Sequence, residues 1–448
     1  MTPQPPTPPA ARPLYQAVWR WHFYAGLLVL PFMVLLAVTG ALYLFREEID
    51  AIVHRDLMRV APVSAESALP PSALRDAALQ AVPGTATKYV SPAAPDHSAE
   101  LDIRAADGTL TAVYLDPATG AVLGSLPYRG TLSWTVRNLH SLKIAGPWGR
   151  ALIEITGGMC ILLVATGVFL WWPRGQGGGV VSVRGTPGRR VFWRDLHAVL
   201  GLGAGGFILF LAITGMPWSG IWGAKVNELA NGQNFGYPAG LRVQVPMSDT
   251  ALDAVSPATW SLGQARVPLS GPASGADIGI DRAAEILHAR GMAAGYTLAL
   301  PATPEGVYTG SVYPDDLSAQ RVIHLDRYSG TALLDMSYAD YGPLGRALEW
   351  GINVHMGQQY GLTNRLVMLA ACLAIVGLAV TAAVMWWKRR PAGRLGIPPC
   401  RADGRALAGL FAILLAGGAI FPLTGAVLVA LMLLDRLFVA GRPAATAA

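Results

Sequence analysis

The amino-acid sequence predicts a membrane protein, mainly α: a helical transmembrane bundle of five spans that carries two outer α+β modules and is internally duplicated. Composition is the first reason, because 52% of the 448 residues are hydrophobic and only 14% are charged, a balance foreign to ordinary soluble domains. Apolar runs are the second. They cover residues 21–45, 151–172, 196–218, 366–387 and roughly 407–434, each long enough to cross a hydrocarbon core about 30 Å thick as a helix. The third is repetition. The interval from His22 to Thr39-Gly40 equals that from His197 to Thr214-Gly215. His140 and His355 likewise precede an arginine (Arg150, Arg365) and then a tryptophan (Trp171, Trp386) at identical intervals.

The elements follow in chain order. Residues 1–18 are proline-rich and lack an apolar stretch ending in a small-residue cleavage site, so they read as a disordered cytoplasmic tail before an uncleaved first span at 19–45. Residues 46–130 form the first outer module, 131–172 a histidine-bearing helix and the second span, and 173–193 a basic loop. The third span is 194–218, the second module 219–340, and 341–387 holds the second histidine-bearing helix with the fourth span. A second basic loop at 388–405, a fifth span at 406–435 and a tail at 436–448 complete the chain.

Orientation comes from the short loops. Residues 173–194 carry five arginines and no acid, and 388–405 carry six basic residues against Asp403 alone. Both loops are expected in the cytoplasm, which puts the N-terminus inside and the modules outside; with five spans the C-terminus is outside too. Trp171-Trp172 and Trp386-Trp387 suit the inner interface. The net charge of +6 gathers in these loops, so the sequence predicts no nucleic-acid partner. Cys160 and Cys372 fall in spans and Cys400 in an inside loop, leaving no disulfide framework for the modules.

The two halves align in detail. VWRWHFYAGLLVLPFMVLLAVTG matches VFWRDLHAVLGLGAGGFILFLAITG, and NLHSLKIAGPWGR matches NVHMGQQYGLTNR. The fifth run contains Pro422-Leu423-Thr424-Gly425, like the first span, but at the histidine's interval before Thr424 stands Leu407. It reads as a partial third copy without its histidine. In the modules, 72–81 and 281–290 have helical spacing, while YLDPATGAVLG and HLDRYSGTALL each read as strand, turn and strand, the turns running from Asp116 to Gly120 and from Asp326 to Gly330.

An imidazole near a bilayer is costly without a partner, so four repeat-matched histidines at helix ends read as ligands. Two neutral imidazoles on opposite faces of a porphyrin give a six-coordinate iron suited to electron transfer. His22 and His197 begin spans at the inner face, and His140 and His355 precede spans at the outer face. Each pair therefore draws one histidine from each copy, giving an inner and an outer haem, both b-type because no C-x-x-C-H attachment site exists. The alternative is interfacial histidines satisfied by water or lipid headgroups. Zinc usually requires three or four close ligands, and each face offers two histidines and no cysteine. His54, whose repeat counterpart is Leu229, reads as a surface residue with ligation as the alternative, whereas His97, His288 and His324 have no repeat-matched partner and receive no metal role.

Several neighbours carry weaker readings. Arg20, Arg194, Arg150 and Arg365 are candidates for haem propionates, with interface anchoring as the alternative. Asn138 and Asn353, just before the outer ligands, either orient an imidazole or cap a helix. The Gly201–Gly206 run contains a literal GxGxxG, but inside an apolar span rather than after a strand, so it reads as a surface for close helix packing or a flat porphyrin edge and not a dinucleotide site.

The two LD-x-x-[ST]-G turns resemble PepSY domains, and the WR-x(1–2)-H span starts with the N-x-H…G…R…WW units resemble the PepSY-associated transmembrane helix family, over most of residues 15–390. That resemblance implies a dihaem oxidoreductase of the bacterial inner (cytoplasmic) membrane, reducing ferric siderophore or another Fe(III) chelate in the periplasm for iron uptake. The electron donor lies outside the chain: a membrane quinol or a cytoplasmic reductase. The competing expectation is a non-enzymatic PepSY sensor or regulator that binds a periplasmic protein through its modules.

Overall fold

The computed structural model describes residues 13–64, 66–173, 178–232, 245–271, 275–398 and 404–437. It falls into two units, one made of Met1–Ala41, His140–Gly223 and Val367–Ala448, the other of Leu42–Leu139 and Ala224–Leu366. The first is the helical bundle and the second holds the sheet.

Among the described residues, four helices are long and apolar enough to cross a membrane: Pro13–Tyr43, Lys143–Trp171, Arg190–Trp218 and Gly361–Arg389, of 29 to 31 residues. Their shared core is built from Trp21, Ala25, Val29, Met159, Ala204, Ile208, Cys372 and Ile375. Small side chains among these let the backbones approach where lipid supplies no hydrophobic drive for helix association. The first helix begins at Pro13, so residues 13–18, expected in the tail, are helical; residues 1–12 lie outside the described residues, as does Cys400. The third begins at Arg190, ahead of the expected boundary at 194, and Asp195 in its first turns is buried between Arg184 and Arg194 at 2.7 and 2.8 Å.

The fifth apolar run does not form a spanning helix. It is two helices, Gly404–Ile420 of 17 residues and Pro422–Asp435 of 14, which at about 1.5 Å per residue reach roughly 25 and 21 Å, short of the ~30 Å core. Pro422 has no N–H to continue the first helix and disfavours helical geometry at Phe421, whose φ is −124° and ψ 82°. A Cβ placed on Gly425 would lie 2.5 Å from Gly418 Cα, so the two helices turn back against each other across the break. Direction is fixed by contacts in the bundle. Thr424 packs on Gly158, and Asp435 accepts hydrogen bonds from Arg20 and Tyr24 near the start of the first helix. The fourth helix ends on that same face, with Arg389 over the rings of Trp19 and Phe23. The expected fifth crossing is thus a hairpin returning to the face where the first helix begins, and the expectation of a C-terminal end on the opposite face is corrected with it. Residues 438–448 lie outside the described residues.

Among the described residues the second unit contains ten strands: β1 (Thr85–Val90), β2 (Ala99–Arg104), β3 (Leu110–Leu115), β4 (Val122–Pro127), β5 (Met247–Ala251), β6 (Arg266–Pro268), β7 (Thr297–Ala299), β8 (Tyr308–Val312), β9 (Arg321–Leu325) and β10 (Ala332–Ser337). The two modules expected from the sequence share one antiparallel sheet in the order β10-β9-β8-β7-β1-β2-β3-β4. The seam is β1 against β7, with Tyr89 opposite Leu298. Pairing these edges satisfies backbone groups that each half would leave open. Helices Pro71–Ala81 and Gly279–Ala289 bury Leu74, Ala78, Ile280 and Leu287 in one core with Leu101, Ile103, Leu298 and Ile323.

Both expected turns are present. The N–H of Gly120 donates to Asp116 O at 2.9 Å and that of Gly330 to Asp326 O at 3.0 Å, while the two glycines take φ of 72° and 70°, which side chains disfavour. The helices Leu132–His140 and Pro343–His355 match the expected amphipathic segments, and each ends on its histidine.

Candidate site of paired histidines

His22 and His197 occupy equivalent places near the starts of the first and third spanning helices and lie close enough to interact electrostatically. Each ring meets a threonine from the next spanning helix: His22 Nδ1 is 2.8 Å from Thr166 Oγ1, and His197 Nδ1 is 2.9 Å from Thr381 Oγ1. The two threonines match in the duplication, Thr166 following His140 at the same interval as Thr381 follows His355. Both imidazoles are only half-buried. One turn further along each helix stands a glycine, Gly26 and Gly201, so no side chain extends from that position beside the ring.

His140 repeats the arrangement at the other end of the bundle. Its Nδ1 is 3.0 Å from Thr39 Oγ1, and a Cβ on Gly40 would sit 3.4 Å from its Cε1. Gly167 stands in the same relation to His22, also at 3.4 Å. At His140 and His22 the Thr-Gly pair is therefore a seat for an imidazole, in which threonine takes the ring nitrogen and glycine makes room for the adjacent carbon; at His197 the threonine is followed by Ala382 instead. Sequence reasoning used Thr39-Gly40 as a landmark of the repeat and overlooked this use; Thr166 and Thr381 were overlooked altogether, although their matched spacing was a signal. His355 is the half-buried last residue of its helix in the sheet-bearing unit.

The remaining candidates have other occupations. His54 Nε2 accepts the Leu132 N–H at 3.2 Å, closing the start of the Leu132–His140 helix. His97 bridges the backbone of Arg59, His288 meets Tyr296, and His324 is fully buried beside Thr309. The four arginines considered for propionates are held by protein groups. Arg20 pairs with Asp435 and Arg194 with Asp195, Arg365 with Glu48, and Arg150 donates to the carbonyls of Trp218 and Ser219. Asn353 donates to Asp315 O at 2.8 Å and Gln359 Oε1 at 3.0 Å, securing the loop after its helix. The GxGxxG run lies within the helix Arg190–Gly215, which lacks the strand-to-helix turn a dinucleotide fingerprint needs.

Among the described residues no group of three or more His, Cys, Asp or Glu side chains is placed to hold a metal ion, so a zinc-type cage is not available there. What the chain offers is three imidazoles, His22, His140 and His197, each with its Nδ1 engaged by a threonine; of these His22 and His197, with a glycine one turn along each helix, could hold a metal complex through Nε2.

The family comparison agrees with the architecture. The model of the PepSY-associated TM region matches residues 19–389, which includes all four histidines and most of each long helix and stops before the hairpin. A comparison with curated proteins finds no match. The chain is a multi-pass member of the PepSY-associated transmembrane family.

Proposed function

We propose that this protein is a dihaem oxidoreductase of the bacterial inner membrane that passes electrons outward to a ferric siderophore or another Fe(III) chelate. His22 and His197 would hold the inner b-type haem, and His140 and His355 the outer one. The observation that carries the reading is the matched pair His22–Thr166 and His197–Thr381, at 2.8 and 2.9 Å: two imidazoles from two copies, close together, held by the same nitrogen in the same way. Haem iron with two imidazole ligands exchanges single electrons between Fe(III) and Fe(II) without binding oxygen. The chain's own part is to hold the rings and keep water out with the apolar bundle. The basic loops support a cytoplasmic origin for the electrons, from a quinol or a reductase.

The test is haem content followed by turnover. The purified protein should yield about two haems per polypeptide by pyridine haemochrome, as the two histidine pairs require, with no covalent attachment. After anaerobic reduction it should reoxidise on mixing with ferric siderophores. A colourless protein would instead support the role of a PepSY sensor, and a haem-loaded protein indifferent to every ferric chelate would remove the proposed acceptor.

A further inference from the structure

We infer that Thr39, Thr166 and Thr381 are positioning residues that hold His140, His22 and His197 in the tautomer able to bind iron; this assignment rests on the dihaem reading. A threonine hydroxyl has one hydrogen to give. Here it is already committed along the threonine's own helix: Thr39 donates to Leu35 O at 2.6 Å, Thr166 to Leu162 O at 2.7 Å and Thr381 to Gly377 O at 2.9 Å. Toward the imidazole each oxygen can then only accept. The ring nitrogen facing it, Nδ1, must carry the hydrogen, which leaves the lone pair on Nε2.

Two consequences follow for a bound metal. The N–H to oxygen bond fixes the rotation of the ring, and it shifts electron density toward Nε2, making that nitrogen a stronger donor to Fe(III). The buried pair His324–Thr309, 2.9 Å apart, marks the limit of the pattern. Its ring is 1% exposed inside the sheet-bearing unit, with no open edge for a ligand, and Thr309 lies in a strand. A threonine beside a histidine is thus not enough; the assignment needs a half-open ring and a hydroxyl committed to its own helix.

Valine replaces the hydroxyl by a methyl of similar shape, and serine keeps the hydroxyl. In the full-length protein, Thr166→Val and Thr381→Val should each raise the midpoint potential of the inner haem, and Thr39→Val that of the outer haem. Retention of the affected haem against an apo-globin scavenger should fall about 10- to 100-fold, the range for losing an outer partner of a metal-ligating histidine. Thr166→Ser should restore both properties, and Thr309→Val should change neither. A haem-loaded wild type whose three valine variants keep its potentials and haem retention would overturn the threonine assignment alone; a wild type without haem would overturn both this assignment and the proposed function.

Discussion

Removing one buried charge should flatten part of the protein's response to pH. Glu349 lies in the helix that ends on His355 and is 3% exposed. Its Oε1 accepts the Ser261 N–H at 2.8 Å, and its charge acts on the hydroxyls of Tyr313, Tyr338 and Tyr341. Burial pushes its carboxyl from 4.5 up to about 7, against the weaker opposing pull of hydrogen bonds from Ser261 and Thr259. A folded-state value above the unfolded one means that the folded chain holds the proton more tightly. The stability this contributes is fully present below about pH 4.5 and is lost as pH rises through about 7. The interval from 4.5 to about 7, at ~1.36 kcal/mol per pH unit, amounts to roughly 3 kcal/mol. Glu349→Gln keeps an acceptor for Ser261 and cannot ionise. In denaturation of the detergent-solubilised full chain, variant and wild type should be closest near pH 5, and the variant should gain progressively toward pH 9 by up to that amount. Burial and the neighbouring Asp102 also raise the Glu100 carboxyl, but this affects both proteins alike and cancels in the difference. Parallel curves from pH 5 to 9 would refute the reasoning.

Ligand pairing and topology give two further tests. His22→Ala and His197→Ala should disturb one haem and His140→Ala and His355→Ala the other, resolved by redox titration with low-temperature spectra; loss of the same haem from His22→Ala and His140→Ala would place both ligands of a haem in one copy. A cysteine replacing Arg436 should react with an impermeant reagent from the side that labels a cysteine at Gly188, whereas labelling from the side that reaches Gly120 would restore the fifth crossing.

Four of the spans were legible because each is a single apolar run with nothing inside it that stops a helix; Pro31 lies within the first one and the helix continues through it. The fifth run was equally apolar, and its apolarity concealed a break. Phe421-Pro422 was visible as the beginning of a repeat-like motif, but the reversal depends on Gly418 and Gly425 meeting backbone to backbone, a contact that no hydropathy pattern encodes. The sheet shows the same division. The turns at Asp116 and Asp326 announced themselves through their glycines, whereas the seam between β1 and β7 pairs Lys88 with Ala299 and Val90 with Thr297, strand edges with no local signature that they belong together.

At the histidines the legible part was spacing and the illegible part was orientation. Matched intervals singled out His22, His140, His197 and His355, yet an interval along one helix does not say which side chain of another helix comes to meet the ring. The answer is a residue that hydropathy treats as neutral. Threonine survives inside an apolar helix by bonding to the carbonyl one turn back, and that same bond makes its oxygen a pure acceptor, able to receive an imidazole N–H from a neighbouring helix. Thr424, in the partial third copy, meets another helix instead of a ring: its oxygen is fully buried with no hydrogen-bond partner and rests against Gly158. The Thr-Gly pair is therefore retained where its imidazole is missing and serves there as a close-packing contact. The motif alone therefore does not separate a Thr-Gly pair that seats an imidazole from one that does not, because the ring held by Thr39-Gly40 is that of His140, from a later helix, and not that of His22 upstream in the same helix.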